Sequence, residues 1–435
     1  MIVCGAGVIG VATAYELVRR GFEVIVVDQR DGPARGDSVL SGGLIASGAM
    51  TPWAAPGVAW RYLTRLGDPV APLIWRPRAS LAQWRWLGRF LLNCNARSFR
   101  LAKLRAQRLV EHARECLRNV RAELAIEYEA TQGVLQLFRT EKDKGIAAPA
   151  LAALRESGAA FQWLDPDLSL AIEPGLVARR TPFAGALFFP DDEAGDGALF
   201  AERLAARLDD SGVEFRYDAR IESIAMSDDR GVVGVALRDL RGRGEFLDAD
   251  AVVLAAGIDS AALAKSLGLD LLAHPVKGCA MTLRVANEAF APRAALIDEA
   301  YRTSVIRLGD RVQVAGTFEL SGDELTPRGV LCNTLLKVAR DWFPQGVAIP
   351  VSPRFQVGRR AMTPDGSPIL GPTRIPGLFL NVGHGDSGWA MALGAGAVVA
   401  DIIAGEDPGI DLEGLTIERF GGGAQAAKRF ASSPK

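Results

Sequence analysis

Three glycines, Gly5, Gly7 and Gly10, follow the apolar start of the chain with the spacing of a dinucleotide-binding turn. The first glycine of such a turn permits a sharp bend, the second lets the backbone approach a pyrophosphate, and the third lets a helix pack closely. A helix that begins there presents free N–H groups to phosphates. A second apolar run at residues 23–27 leads into Asp28, whose carboxylate can accept hydrogen bonds from ribose hydroxyls. The pattern predicts a dinucleotide site without specifying the dinucleotide.

The elements that must position this site come from distant parts of the chain. Residues 12–20 have a helical pattern after the first strand, and residues 249–257 and 377–383 read as two more buried strands. A helix is expected at residues 390–403. These segments predict an α/β fold of two domains, in which a doubly wound dinucleotide domain carries an inserted antiparallel-sheet substrate domain. The predicted bounds are 1–47, 146–269 and 356–435 for the first domain, and 48–145 and 270–355 for the second.

The segments between these strands have their own patterns. Residues 80–121 have helical spacing of apolar side chains. Residues 133–138 and 311–316 alternate, which predicts strands of a half-exposed antiparallel sheet. Residues 198–208 predict an amphipathic helix before a strand at 213–217. The Gly-, Ala- and Ser-rich tail, residues 421–435, is expected to fray.

Composition excludes several classes of function. The chain has 435 residues and a net charge of −1, whereas a nucleic-acid-binding protein would carry a basic excess. The five cysteines and three histidines lack metal-ligand or disulfide spacing. The sequence shows neither a leader pattern nor an apolar run of the ~20 residues that span a membrane. We therefore expect a cytoplasmic protein without a metal centre.

Several separated motifs together resemble the D-amino-acid-oxidase-like family of FAD-dependent amine dehydrogenases and, within it, the bacterial D-amino acid dehydrogenases. The motifs lie at residues 5–10, 52–57, 132–140, 190–196, 362–366 and 383–389. The resemblance covers nearly the whole chain and implies FAD, a doubly wound FAD domain and an antiparallel sheet over the flavin.

The chain departs from the family pattern at positions that face its ligands. Ser41 replaces an asparagine that the family has before paired glycines, and Arg359 replaces a leucine before the family's carboxylate-binding arginine, here Arg360. Gly358 stands where covalently flavinylated relatives carry cysteine, so the resemblance implies noncovalent FAD.

The resemblance also implies the substrate site. Arg360 would anchor a carboxylate through its two-pronged guanidinium. Arg359 would bind a second acidic group or point to solvent. Tyr301 would contact the carboxylate or be a plain sheet residue. His384 lies in the predicted flavin turn, where it is a candidate base, although solvent can supply the neutral amine.

The predicted cofactor contacts extend along the whole chain. The turn at residues 383–388 and the following helix would face the flavin, and Lys277 would lie near it unless it is a surface lysine. Val213 fits the family pattern but is a core residue by default. The full set of predicted cofactor contacts is Gly5, Gly7, Val8, Ile9, Gly10, Asp28, Gln29, Ser38, Ser41, Gly42, Gly43, Val213, Ala256, Gly257, Lys277, Gly383, His384, Gly385, Asp386, Ser387 and Gly388.

The leading functional hypothesis is an FAD-dependent amine oxidoreductase. It would remove a hydride from the α-carbon of a D-amino acid and leave an imine that water hydrolyses to an oxo acid. The second substrate class comprises secondary amines, such as glycine-type, N-carboxymethyl, iminodiacetate-like or D-hydroxyproline substrates. The rivals are an FAD-bearing subunit without activity of its own and a nicotinamide-dependent dehydrogenase.

Residues 82–92 interleave aromatic side chains with arginines. Such a helix can lie on a membrane surface, from which a dehydrogenase would pass electrons to quinone. In the alternative interpretation, the aromatic side chains of this segment pack against a neighbouring helix. Oxygen is the alternative to quinone as the electron acceptor. The sequence does not predict the oligomeric state.

Overall fold

The computed structural model describes residues 1–64, 67–320 and 325–420 of the chain, so the predicted fraying tail lies outside the described residues. The fold is built on two large sheets. The helices are α1 (Val8–Arg19), α2 (Val58–Leu63), α3 (Leu81–Asn93), α4 (Ala96–Leu124), α5 (Glu141–Ile146), α6 (Ala148–Ser157), α7 (Pro166–Ile172), α8 (Gly197–Asp210), α9 (Asp259–Ser266), α10 (Gly329–Trp342) and α11 (Gly388–Ala404).

The strands of the described chain are β1 (Ile2–Cys4), β2 (Ile25–Val27), β3 (Leu44–Ile45), β4 (Leu73–Trp75), β5 (Thr131–Phe138), β6 (Gln162–Leu164), β7 (Gly185–Ala194), β8 (Glu214–Arg216), β9 (Ala219–Ser227), β10 (Gly231–Asp239), β11 (Gly244–Asp248), β12 (Val252–Leu254), β13 (His274–Val285), β14 (Ala295–Asp298), β15 (Thr303–Leu308), β16 (Arg311–Leu320), β17 (Val347–Ala348), β18 (Phe355–Met362), β19 (Ile369–Pro372) and β20 (Leu378–Val382). Several of these strands fall on predicted runs, namely β1, β2, β5, β8, β12, β16 and β20, and the others were not predicted.

The first sheet is the predicted doubly wound one. Its strand order is β19-β20-β12-β1-β2-β8, and all its pairs are parallel except β19 with β20. Strands β1 and β12 are apolar and buried throughout, as expected for a parallel sheet covered on both faces. Strand β20 is also buried but contains Asn381, and the edge strand β8 is partly exposed. Helices α1 and α11 pack together on this sheet, and α4 packs on α11. The predicted fold class is confirmed.

The second sheet is mainly antiparallel and has the order β17-β13-β16-β15-β14-β5-β7-β3. Strands β18, β4 and β6 pair with β13, β16 and β7 respectively. The half-exposed character predicted for β5 and β16 is wrong, since nearly every residue of both strands is buried. Their apolar side chains belong to several clusters, one of which contains α10 residues such as Leu335 and Trp342.

The strand pairing also divides the chain differently from the predicted bounds. Strands β6, β7 and β18, which were expected in the first domain, pair within the second sheet. Helix α4, which was expected in the second domain, packs against α11 of the first. Sequence patterning predicts strands and helices in these segments but does not reveal which of the two sheets each one joins.

Candidate active site

The glycine-rich turn between β1 and α1 leaves no room for side chains. A Cβ atom on Gly5, whose φ is +109°, would lie 2.7 Å from the carbonyl oxygen of Ala255. A Cβ on Gly10 would lie 1.7 Å from the carbonyl oxygen of Gly5. The hydroxyl of Ser38 accepts a hydrogen bond from the backbone N–H of Val8 at 3.1 Å. This close packing holds the N-terminus of α1 against the turn, as a phosphate cradle requires.

Asp28 joins the end of β2 to this cradle. Its carboxylate accepts the backbone N–H of Ala6 at 2.7 Å and that of Arg30 at 2.8 Å. Burial raises the pKa of Asp28, while these two hydrogen bonds lower it. The neighbouring Gln29 donates to Asp259 at 2.9 Å. Asp28 therefore fixes the turn through both of its carboxylate oxygens, and it also lines the cavity described next.

The larger cavity has a volume of about 760 Å³ and lies beyond the carboxyl ends of the parallel strands. Strands β1, β2, β12 and β20 are each followed by residues that line it, which is where ligands bind in open α/β sheets. The predicted site residues in its lining are Gly5, Gly7, Val8, Ile9, Asp28, Gln29, Ser38, Ser41, Ala256, Gly257, Arg359, Arg360, Gly383, His384, Gly385, Asp386 and Gly388.

The turn after β20 brings a second helix N-terminus to this cavity. Gly383 and Gly385 have φ values of +80° and +58°, which side chains rarely adopt. Helix α11 begins at Gly388, so its free N–H groups open on the cavity. His384 is buried in this turn, and burial lowers its pKa to about 3. The ring is therefore neutral at physiological pH and a weak base.

A smaller cavity of about 110 Å³ adjoins the larger one. Arg360, Asp386 and Trp389 line both cavities, so they mark the place where the two meet. The predicted residues Gly42, Gly43 and Ser387 line the smaller cavity. Its volume suits a ligand of a few heavy atoms.

Arg360 is held at this junction by contacts from two elements. Its Nη2 donates to the carbonyl oxygen of Leu40 at 3.0 Å, and the guanidinium lies 5.2 Å from the ring centroid of Phe318. Burial lowers the pKa of the guanidinium, and the negative charges of Asp386 and Asp37 raise it. Arginine remains charged under these conditions, so the junction carries a fixed positive charge.

Arg359 faces the larger cavity and does not reach the smaller one as the described residues define it. Its Nη2 lies 3.5 Å from Asp259, and its backbone N–H donates to Asp37 at 2.8 Å. Its Nε is buried without a hydrogen-bond partner among the described residues. The structure thus places Arg359 beside the larger cavity, and its contact with a second acidic group of the substrate stays a prediction.

Four predicted site residues lie outside both cavities as the described residues define them. Gly10 lies behind the cradle, where it serves packing, and Val213 is a buried core residue. Lys277 is buried, and its Nζ lies 3.2 Å from Oε2 of Glu319, so its side chain is directed to this ion pair and not to either cavity. The ring of Tyr301 lies 4.7 Å from the guanidinium of Arg139 and packs with the α10 cluster.

The residue after Tyr301 reaches the smaller cavity in its place. Arg302 has a φ of +51°, and its Nη2 donates to the carbonyl oxygen of Thr51 at 2.9 Å. Its Nη1 lies 3.7 Å from Glu299, which also lines the smaller cavity. No sequence motif contains Arg302, Glu299 or Thr51, so the sequence did not predict them at this cavity. The positive φ of Arg302 also has no sequence signal.

The larger cavity fits the FAD that the sequence resemblance implies. Two helix N-termini and the cradle suit a pyrophosphate, and the volume lies in the range of roughly 300–1,000 Å³ found for cofactor sites. The buried Nε2 of His384 and Nε of Arg359 lack hydrogen-bond partners among the described residues and thus offer polar atoms to a ligand. No group of three or more potential metal ligands occurs within residues 1–64, 67–320 and 325–420. None of the helices in those ranges is long and apolar enough to cross a bilayer.

Comparison with known proteins agrees with this geometry. The family model described as FAD dependent oxidoreductase matches residues 1–402. The chain is 40% identical over 423 residues to a D-amino acid dehydrogenase of Granulibacter bethesdensis, covering 97% of this chain and 100% of the relative. It is also 40% identical to a D-amino acid dehydrogenase of Rhodopseudomonas palustris, covering 98% of each chain.

A solved structure shares the fold. Glycine oxidase from Geobacillus kaustophilus superposes with a TM-score of 0.73 at 21% identity, covering 96% of this chain and 97% of that one. The family match supports FAD as the cofactor in place of the nicotinamide alternative. The chain belongs to the DAO family of FAD-dependent oxidoreductases.

Proposed function

We propose that the protein is an amino acid dehydrogenase that oxidises the Cα–N bond of a small D-amino acid in the smaller cavity. The observation that carries this proposal is the position of Arg360 at the junction of the two cavities. A carboxylate bound there would leave its α-carbon beside the larger cavity. The two relatives at 40% identity are named D-amino acid dehydrogenases, which supports a D-amino acid over other amines.

Each part of the site has a separate task in this reaction. FAD supplies the oxidation itself, as an acceptor of two electrons and a proton. The cradle at Gly5–Gly10, with Ser38, would hold its pyrophosphate, and Asp28 its ribose. The N–H groups at the start of α11 would stabilise negative charge that develops on the reduced cofactor.

The chain's own groups then determine how the amine binds. Arg360 would bind the carboxylate through two parallel hydrogen bonds, which fixes the orientation of the α-carbon. His384, with a pKa of about 3, would stay neutral and serve as a hydrogen-bonding group and not as a base. The amine would therefore enter in its neutral form from solvent equilibrium. The product imine would hydrolyse to an oxo acid and ammonia.

A second candidate substrate is an N-carboxymethyl amino acid. Arg302 lines the smaller cavity together with Arg360, so two guanidinium groups surround a small space. A secondary amine with two carboxylates would place one on each arginine. Glu299 and Asp386 also line this cavity and balance the two positive charges, which favours the monocarboxylate.

A substrate panel separates these candidates. The FAD-loaded protein is mixed anaerobically with D-alanine, L-alanine, glycine, D-proline or iminodiacetate while the visible flavin band is recorded. We expect D-alanine to bleach the band fastest and L-alanine to leave it unchanged. Bleaching by iminodiacetate alone would favour the second candidate, and an unchanged band with every amine would refute the enzymatic proposal.

The electron acceptor is proposed to be a membrane quinone, with oxygen as the alternative. Helix α3 divides its apolar side chains between two faces. Trp86 and Phe90 are buried, whereas Leu81 is 85%, Trp84 is 48% and Leu92 is 78% exposed. The buried side chains suit the interpretation that the aromatics of residues 82–92 pack inside the fold, and the exposed ones suit a membrane contact. The exposed face, which also carries Arg85, is the proposed peripheral membrane contact.

A further inference from the structure

One wall of the smaller cavity is formed by residues 46–51, which we call the cavity loop. Ala46, Ala49, Met50 and Thr51 of this loop line the cavity. The loop follows the two-residue strand β3 and contains no helix or strand of its own. Its backbone N–H and C=O groups therefore need partners from elsewhere in the fold.

Two buried charged side chains supply those partners from opposite directions. Lys103 of α4 donates from Nζ to the carbonyl oxygen of Ser47 at 3.3 Å, to that of Gly48 at 2.5 Å, and also to that of Met50. Asp192 of β7 accepts the backbone N–H of Gly48 at 3.1 Å and that of Ala49 at 3.0 Å. The ammonium group of Lys103 thus donates hydrogen bonds to three carbonyl oxygens of the loop, and the carboxylate of Asp192 accepts hydrogen bonds from two of its amides.

Burying the charged groups of Lys103 and Asp192 costs free energy, so the fold must compensate both charges. Lys103 is 1% and Asp192 is 2% exposed. Burial lowers the pKa of Lys103 to about 8, while the negative charges of Asp192 and Glu299 raise it. Burial also raises the pKa of Asp192, while the amides of Ala49 and Gly48 lower it. A buried charge is tolerated when hydrogen bonds compensate it, and here the compensation comes from the cavity loop.

The loop is connected to the cavity's own charged groups. The carbonyl oxygen of Thr51 accepts the hydrogen bond from Arg302, so a displaced loop would also displace this arginine. A Cβ on Gly48 would lie 2.3 Å from Cδ1 of Phe189, which shows how tightly the loop is packed. The position of the loop thus determines both the shape of the wall and the place of one guanidinium.

We propose that Lys103 and Asp192 are positioning residues, which hold the cavity loop so that the smaller cavity binds the carboxylate substrate in one orientation. This inference rests on the proposed function, because it takes the smaller cavity as the substrate site. Neither residue lines the cavity among the described residues, so both act through the loop backbone.

The test compares the FAD-loaded Lys103→Met variant with Gln107→Met. Gln107 is a matched control, since it lies one turn along the same helix and is equally buried. Propionate, which is D-alanine without its amine, is titrated while the shift of the flavin spectrum reports binding. D-alanine reduction is measured anaerobically to separate the half-saturating concentration from the maximal rate.

We expect Lys103→Met to weaken propionate binding at least tenfold and to raise the half-saturating D-alanine concentration similarly, with FAD affinity unchanged. Asp192→Asn, which keeps an acceptor for the amides, should have a smaller effect in the same direction. If Lys103→Met does not fold, Asp192→Asn is compared with Gln107→Met in its place. Gln107→Met should bind propionate as the wild type does. A lower unfolding temperature with both constants within twofold of wild type would overturn the proposal.

Amide hydrogen exchange tests whether Lys103 holds the cavity loop without using any substrate, so its result does not depend on the proposed function. In Lys103→Met, the amides of Gly48 and Ala49 should lose at least tenfold of their protection, and equal protection would overturn the inference whatever the substrate is. If the wild type is reduced by no amine at all, the proposed function fails, while the exchange result still decides whether Lys103 holds the loop.

Discussion

Arg359 and Arg360 are adjacent on strand β18, yet only Arg360 also lines the smaller cavity. Arg360 lies where the larger and smaller cavities meet, whereas Arg359 faces the larger one beside Asp259. Successive side chains of a strand point to opposite faces, so the two charges are separated by the backbone. Of the two, only Arg360 lines the smaller cavity, in which the proposed carboxylate substrate would bind.

Replacing Arg360 by lysine should weaken substrate binding. Lysine keeps the charge but replaces the guanidinium fork by a single point contact. Loss of one charged hydrogen bond costs about 1.5–3 kcal/mol, so the half-saturating concentration of D-alanine should rise roughly 10- to 100-fold. Anaerobic flavin reduction measures it. Arg359→Lys is the matched control, and an equal rise in that variant would contradict the separation of the two arginines.

Replacing Gly10 by alanine should abolish FAD binding. The new Cβ would lie 1.7 Å from the carbonyl oxygen of Gly5, so the cradle must open. The flavin content of the purified protein reports the result. Gly88→Ala in α3 is the control, since a Cβ there has open space around it. It should raise the free energy of unfolding by roughly 0.5–1 kcal/mol and leave flavin content unchanged. A yellow Gly10→Ala protein would argue against the cradle.

His384 should make stability depend on pH below neutrality. Its pKa is lowered from 6.5 to about 3 in the folded protein, so the unfolded chain binds more protons between these values. Stability from this group is complete above pH 6.5 and is lost as the pH falls towards 3. At pH 5 the loss amounts to about 2 kcal/mol. Denaturant unfolding at pH 7 and pH 5 should show a smaller loss for His384→Gln, and equal losses would show that another group is responsible.

Gly358 should keep FAD noncovalent and should resist substitution. A Cβ at this position would lie 2.2 Å from Cδ1 of Leu40 and 2.7 Å from Oδ1 of Asp37. Gly358→Ala would push on the carboxylate that accepts the N–H of Arg359 and should cost roughly 1–3 kcal/mol of unfolding free energy. Acid precipitation of the wild type should release all its flavin into the supernatant. Flavin that stays with the pellet would contradict noncovalent binding.

The exposed face of α3 should bind anionic vesicles. Leu81→Asp combined with Leu92→Asp removes apolar side chains that are 85% and 78% exposed, so co-sedimentation at low salt should fall to background. Leu91→Asp alone tests a side chain that is 46% exposed and should have an intermediate effect. Wild-type protein that stays in the supernatant at low salt would remove the membrane proposal.

Some features of the site follow from short stretches of sequence. The Gly5–Gly10 turn and Asp28 lie within one strand–helix–strand unit, where spacing alone fixes which backbone groups face the ligand. The turn at Gly383–Gly388 was predictable for the same reason. Both turns are predicted to face the cofactor, and most of their residues line the larger cavity.

Other residues could not be placed without the tertiary structure. Tyr301 and Arg302 differ by one position in a tight turn, and the positive φ of Arg302 decides which side chain enters the cavity. Lys277 matched a family position, but the structure pairs it with Glu319 on the neighbouring strand. Single-residue differences in register reverse the face that a side chain occupies.

The sequence by itself thus determined a dinucleotide-binding turn and the fold class, because these depend on local spacing and on apolar periodicity, and its separated motifs carried the resemblance that implied the family and FAD. Only the tertiary structure decided that Lys103 and Asp192 hold the cavity loop and that Arg302 shares a cavity with Arg360. Those contacts join segments that are distant along the chain. Their geometry is set by how sheets and helices pack together, which a single sequence does not encode in any local pattern.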